Sequence, residues 1–287
     1  MSAANLGRAE RQALERSGLP GELIARWVAL AAQLADLGSA VVAFSGGVDS
    51  SLLAYVARLA LGERMVALTI SSALESSASL DAAAAFAARH GIPHEVLQHD
   101  LLAHPEVRQN PPDRCYHCKR LLLGELWAYA RRNGFAAVLD GQNADDQFDY
   151  RPGRQAVMES GARSPLAEGG FTKAEIRLLA RALGLETWDR PSAPCLATRI
   201  PYGTEITPQA LAQIEQGERF LHEKGFTTVR LRRHSELARL EIPPQAMPRL
   251  LEQRAEIVRF MQDIGFVYVA LDLQGYRTGS FNEGLPK

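Results

Sequence analysis

Hydrophobic and polar positions change rhythm along the chain. After a charged lead (MSAANLGRAERQALERSG), Leu23 to Leu37 places apolar residues at helical spacing. Short apolar runs then alternate with longer amphipathic or alanine-rich segments. The runs Val41–Phe44, Val66–Ile70, His94–Gln98 and Ala137–Leu139 read as strands. Ser50–Leu61, Ser76–His90, Lys119–Asn133 and Lys173–Leu183 read as helices. This alternation predicts an α/β fold, a parallel sheet with helices on both faces that takes its ligand outside the carboxyl ends of the strands. Ser45, Ser71 and Gly141 each follow a predicted strand and so belong to that rim. The prolines of PPDRCYHCKR predict a loop there, with Lys119 opening the next helix.

Near Gly203 the pattern shifts. Thr207 to Lys224 predicts a helix with Thr207 as N-cap and Pro208 in its first turn. Strands Thr227–Leu231 and Leu237–Ile242, a helix Pro244–Asp263 and a strand Phe266–Asp272 follow. The expected organisation is a helical lead (1–22), a larger α/β domain (23–204) and a smaller C-terminal α/β domain (205–287). There is no internal repeat.

Composition narrows the function classes. The chain has 287 residues, 46% of them hydrophobic, and a net charge of −1. The absence of a basic excess disfavours a long nucleic-acid partner. No apolar run reaches membrane-span length, and the polar N-terminus lacks a signal-peptide core, so the cytoplasm is the expected location. The odd count of three cysteines, Cys115, Cys118 and Cys195, argues against a disulfide framework and turns attention to metal or thiol chemistry.

The segment VVAFSGGVDSSLLAYVA carries the most chemistry. A buried strand meets a Ser-Gly-Gly turn and then a helix opening near Asp49. Gly46 and Gly47 let the backbone approach a ligand. Ser45, Ser50 and Ser51 add hydroxyls, and the helix start offers unpaired N–H groups, a setting for a phosphate-like anion. It is neither a Walker loop nor a dinucleotide fingerprint. The bland reading is an ordinary strand–turn–helix corner. A second cluster, DGQNADD, ends a strand. Its Asn143, Asp145 and Asp146 suit Mg²⁺ or the orientation of ATP, or else form only a solvated Asx-turn.

Cys115 and Cys118 form a C-x-x-C pair, and Cys195 lies in RPSAPCLATRIPYG. If the three converge they could hold three irons of a cubane cluster and leave the fourth open. Zinc with His117 or a solute, a metal-free redox dithiol, and three unrelated buried cysteines are the other readings. In TTVRLRRHSE, period-two alternation puts Arg230 and Arg232 on one strand face, which suits a phosphate or is simply a solvated basic face. Arg199 adds charge four residues beyond Cys195. Glu218 is a weaker candidate for acid–base work or for pairing with an arginine.

FSGGVDSS resembles the SGGxDS signature of the PP-loop ATP pyrophosphatases, which split ATP between its α- and β-phosphates. Further segments narrow the resemblance to one branch, the LarE-type sulfur transferases of nickel-pincer nucleotide cofactor synthesis for lactate racemase. These are DRCYHCK, DGQNADDQFDYRPGR, SPLAEGGFTKAEIRLLARALGL, TWDRPSAPCLATRIPYGTEIT, VRLRRHSELARLEI and LDLQGYRTGSFNE. The likeness runs from about Leu30 to Glu283. It implies a PP-loop domain that binds ATP and Mg²⁺ through Ser45, Gly46, Gly47, Asp49, Ser50, Ser51, Ser71, Asn143 and Asp146. It also implies a pyridinium-3,5-dicarboxylic acid mononucleotide as substrate, its phosphate held by Arg230 and Arg232, and assembly into trimers or hexamers. In one subtype a single cysteine matching Cys195 gives up its own sulfur. In the other, three cysteines carry a 4Fe-4S cluster loaded by a sulfide source. Cys115, Cys118 and Cys195 match the second; Arg199 and Glu218, read from the residues alone, complete the candidate catalytic set.

Two other readings stand beside this one. A PP-loop tRNA thiolase can also use three cysteines, but commonly brings further cysteine pairs or a basic RNA-binding domain. A non-catalytic nucleotide- or redox-responsive binding protein would need the nucleotide site without the arginine pair.

Overall fold

The computed structural model describes residues 8–147, 152–191 and 194–277. The elements run α1 (Arg8–Arg16), α2 (Gly21–Asp36), β1 (Ala40–Ala43), α3 (Val48–Leu61), β2 (Met65–Ser71), α4 (Ser77–Arg89) and β3 (His94–Gln98). There follow α5 (Pro105–Arg108), α6 (Arg114–Asn133), β4 (Ala137–Leu139), α7 (Pro152–Ser160), α8 (Pro165–Glu168), α9 (Lys173–Ala182) and α10 (Pro208–Glu223). The chain closes with β5 (Arg230–His234), β6 (Leu237–Glu241), α11 (Met247–Glu252), α12 (Arg254–Asp263) and β7 (Tyr268–Leu271). Two compact units result. One comprises Met1–Ser72, Ser77–His99 and Cys115–Ala193, the other Ala73–Ser76, Asp100–Arg114 and Pro194–Lys287. The expected boundary after residue 204 therefore differs from this division, in which Pro194 already belongs to the second unit and two earlier segments join it.

The first unit is built on a wholly parallel sheet of order β3-β2-β1-β4. Strand alternation sorts its side chains into two layers. Ala40 and Val42 pack with Trp27, Leu30 and Leu34 of α2, Leu52 and Leu53 of α3, and Ile176 and Leu179 of α9. Val41, Val66, Leu68 and Val138 face the other way, onto Leu123, Leu126 and Tyr129 of α6 and Val157 of α7. The chain moves from β1 out to β2 and β3, then returns to add β4 on the far side of β1. The carboxyl ends of β1 and β4 thus flank the switch point where open α/β sheets take ligands.

In the second unit, β5 pairs antiparallel with β6, and β6 parallel with β7. Helix α10 starts as expected, with the Thr207 hydroxyl accepting from the Ala210 N–H and Pro208 at the first position. Three expectations need correction. The strand expected over Thr227–Leu231 runs instead from Arg230 to His234 as β5. The prolines at 111 and 112 end before the helix rather than forcing a loop through it, so α6 begins at Arg114 and carries Cys115 and Cys118 in its first turn. The single helix expected over 244–263 is divided into a short turn at Pro244–Ala246, α11 and α12.

Candidate active site

At the end of β1 the chain turns through Gly46, whose φ of +70° is costly for any residue with a Cβ. A Cβ there would lie 3.0 Å from that of Ala83. Gly47 caps α3 in an extended conformation and brings no side-chain cap to the first helical N–H groups. Serines knit the turn. Ser50 Oγ donates to the Gly47 carbonyl at 3.1 Å and lies 3.1 Å from Ser45 Oγ. Ser51 Oγ is buried with no hydrogen-bond partner among the described residues. Ser71 closes β2 and is buried, its carbonyl accepting from the His99 N–H.

The β4 loop lies against this turn. A Cβ on Gly141 would meet the Ser50 nitrogen at 3.2 Å, so only glycine lets the two loops approach this closely. Asn143 Nδ2 donates to Asp49 Oδ1 at 3.1 Å, and Lys173 Nζ donates to Asp49 Oδ2. Asp145 accepts from the Lys173 N–H at 2.8 Å, and Asp146 Oδ2 accepts from the Asn143 N–H at 3.0 Å. The Asp145 and Asp146 carboxylates thus hold the loop's shape, while Asp49, held by Asn143 and Lys173, is the carboxylate at the Ser-Gly-Gly turn.

Lys173 and Arg190 escaped the sequence reading. Arg190 Nη1 donates to the Gly46 carbonyl at 2.8 Å. A signal for Lys173 existed: a lysine at the first position of a helix opposes the helix dipole and therefore implies a nearby carboxylate. For Arg190, five residues before Cys195, spacing offered no such signal.

Cys115 and Cys118, three apart in the first turn of α6, share one side of that helix. Lys119, the next residue, is ion-paired with Asp140 at the end of β4. That pair anchors the first turn of α6 at the same sheet rim as the Ser-Gly-Gly turn. Among the described residues none of the three cysteines forms a disulfide, and all three are half-buried. Among the described residues no group of three or more His, Cys, Asp and Glu side chains is placed to hold a metal ion.

In the second unit, Cys195 begins a tight turn ending at Arg199. Buried Arg199 donates through Nη1 to the carbonyls of Pro194 (2.7 Å) and Cys195 (3.1 Å). Its Nε and Nη2 form a two-bond fork onto Glu218, both at 2.9 Å. Glu218 Oε1 also accepts from the Leu231 N–H at 3.0 Å, tying the turn to β5. Arg232 donates to the Thr198 carbonyl at 2.8 Å and grips Glu241 with Nε and Nη2 at 3.0 and 2.9 Å. Glu241 also accepts from Arg239. Three donor atoms of Arg232 are thus engaged within the protein, which is not the open fork that strand alternation suggested. Arg230 stacks over Tyr276 at 5.3 Å. Burial, and then the nearby Arg199 charge, pull its pKa below the ordinary guanidinium value. Glu218 is paired with an arginine, one of the two roles expected for it.

The NAD synthase family profile matches residues 23–104. A pyridinium-3,5-bisthiocarboxylic acid mononucleotide synthase of Lactiplantibacillus plantarum is 39% identical over 90% of this chain and 94% of its own length. This chain belongs to the LarE-type synthase family. An uncharacterized protein of Synechocystis sp., slr1717, is 43% identical over 88% of this chain and 95% of its own. A tRNA-specific 2-thiouridylase of Synechococcus sp. is 29% identical over only 57% of this chain and 53% of its own. The LarE-type likeness thus extends through both units, whereas the tRNA-modifying relative matches little more than half. No helix among the described residues is long and apolar enough to cross a membrane.

Proposed function

We propose that this protein is an ATP-dependent sulfurtransferase acting on pyridinium-3,5-biscarboxylic acid mononucleotide. The observation that carries the reading is the Ser-Gly-Gly turn with Asp49 at the sheet's switch point, in a chain related over nearly its whole length to the bisthiocarboxylic acid mononucleotide synthase. A ring carboxylate is a poor electrophile. Its oxygen attacks the α-phosphorus of ATP, the Pα–O bond to the β-phosphate breaks, and pyrophosphate departs. A sulfur nucleophile then adds to the acyl carbon, and AMP leaves with the former carboxylate oxygen, giving a thiocarboxylate. A second round gives the dithio product.

The turn's N–H groups and serine hydroxyls suit the phosphates. Asp49, whose oxygens here accept from Asn143 and Lys173, is the carboxylate that would take Mg²⁺, a cation that would offset the phosphate charge. Cys195 sits on a turn fixed by Arg199 and Arg232, which supports its placement in sulfur delivery. The three-cysteine inventory and the i,i+3 spacing of Cys115 and Cys118 support a 4Fe-4S cluster, which would supply an open iron for an extra sulfide. Arg230 and Arg232 are proposed for the substrate phosphate, Arg230 the better exposed of the two. The reading also carries a cytoplasmic homo-oligomer fed by a sulfide source. The test is pyrophosphate release that requires the mononucleotide, in wild type and in Asp49→Asn. Release without the mononucleotide, or unchanged in the variant, would overturn the assignment.

A further inference from the structure

Arg190 stands apart from the arginines that serve the architecture. Arg199 and Arg232 are closed onto carboxylates, as are Arg26 and Arg163. Arg190 pairs with no carboxylate among the described residues. Its guanidinium makes one hydrogen bond among them, from Nη1 to the Gly46 carbonyl in the middle of the anion-binding turn. A guanidinium has five N–H donors, so among the described residues its charge and most of its donors are uncommitted. The mount is rigid. Arg177 of α9 donates to the carbonyls of Trp188 at 2.6 Å and Arg190 at 2.8 Å, and Arg181 lies over the Trp188 ring at 4.8 Å. Arg177 thus holds the backbone from which Arg190 reaches the turn, and Arg181 packs on a side chain of the same segment.

We propose that Arg190 binds the β- and γ-phosphates of ATP and stabilises the departing pyrophosphate, an inference that rests on the ATP-cleaving reading above. When the Pα–O bond breaks, its electron pair stays on the oxygen carried away by pyrophosphate. A planar cation with paired N–H donors suits that developing charge better than a point charge does. Lys173 is less available, because Asp49 already neutralises it.

The test compares ATP, pyrophosphate and AMP binding by calorimetry in wild type, Arg190→Ala and Arg190→Lys. Loss of a charge-assisted contact to the terminal phosphates weakens ATP and pyrophosphate binding roughly 10- to 100-fold in Arg190→Ala, with AMP affinity unchanged. Arg190→Lys keeps the charge and falls between. If ATP and AMP weaken together, Arg190 only shapes the turn. If neither changes, it does not touch the nucleotide. Either result overturns the proposal while wild-type binding stands. A wild type that binds no ATP would instead remove the reading on which it rests.

Discussion

Replacing Glu218 by glutamine separates an architectural role from proton transfer. Glu218 accepts Arg199 Nε and the Leu231 N–H on Oε1 and Arg199 Nη2 on Oε2. The Arg199 and Glu218 side chains are 4% and 10% exposed, so water cannot take over. Glutamine has one acceptor oxygen, which can keep Nε and the Leu231 N–H. Its amide nitrogen then meets Arg199 Nη2, donor against donor, and the guanidinium loses its counter-charge. Breaking one side of a buried pair costs about 3–5 kcal/mol, a large part of a total stability of about 5–15 kcal/mol. At roughly 2–4 °C per kcal/mol, the melting temperature falls by about 6–20 °C. Circular dichroism melts measure it. The double variant Arg199→Met, Glu218→Leu removes both charges and recovers most of that loss. It remains deficient in sulfur transfer, because the Pro194 and Cys195 carbonyls have lost their donor. A Glu218→Gln protein that melts within about 2 °C of wild type yet releases no pyrophosphate would refute the reasoning and make Glu218 a proton-transfer group.

Other outcomes follow from the same structure. Gly46→Ala forces a side chain onto a φ of +70° against Ala83, so ATP affinity falls at least tenfold by calorimetry and the melting temperature drops by a few degrees. Cys115→Ala abolishes iron binding and repeated sulfur transfer, read by iron assay and product count on protein purified without oxygen; full single-round transfer would return Cys195 to the sacrificial role. Burial raises the Glu175 pKa, but bonds from Arg26 and from the Thr172 N–H and hydroxyl outweigh it and hold the carboxyl below the ordinary value. Its contribution is therefore present at neutral pH and lost as pH falls through the folded-state value. Glu175→Gln is about 0.5–1 kcal/mol less stable than wild type at pH 7, and the gap closes in acid melts.

The α/β fold was readable because apolar runs and helical segments alternate strictly up to residue 139, and β3 and β4 match the expected strands residue for residue. The strand–turn–helix motif announced its own geometry, since glycines, serines and aspartate fall in a fixed local order. What depends on distant residues was harder to see. Prolines at 111 and 112 forbid helix only through themselves, and nothing local shows that Arg114 starts one. Period-two alternation put Arg230 and Arg232 on one face, but not that Glu241, nine residues beyond Arg232, closes one fork. Lys173 and Arg190 reach the Ser-Gly-Gly turn only because α9 and the segment after it pack beside α3. The division near Pro194 was hidden because the second unit borrows two segments from far upstream.

The measurement that bears most directly on the central claim is mass spectrometry of pyridinium-3,5-biscarboxylic acid mononucleotide incubated with the anaerobically purified protein, ATP and Mg²⁺, with pyrophosphate counted in parallel. The account predicts replacement of one carboxylate oxygen by sulfur for each pyrophosphate released. Pyrophosphate release without sulfur in the product, or an unmodified nucleotide with no release, would contradict it.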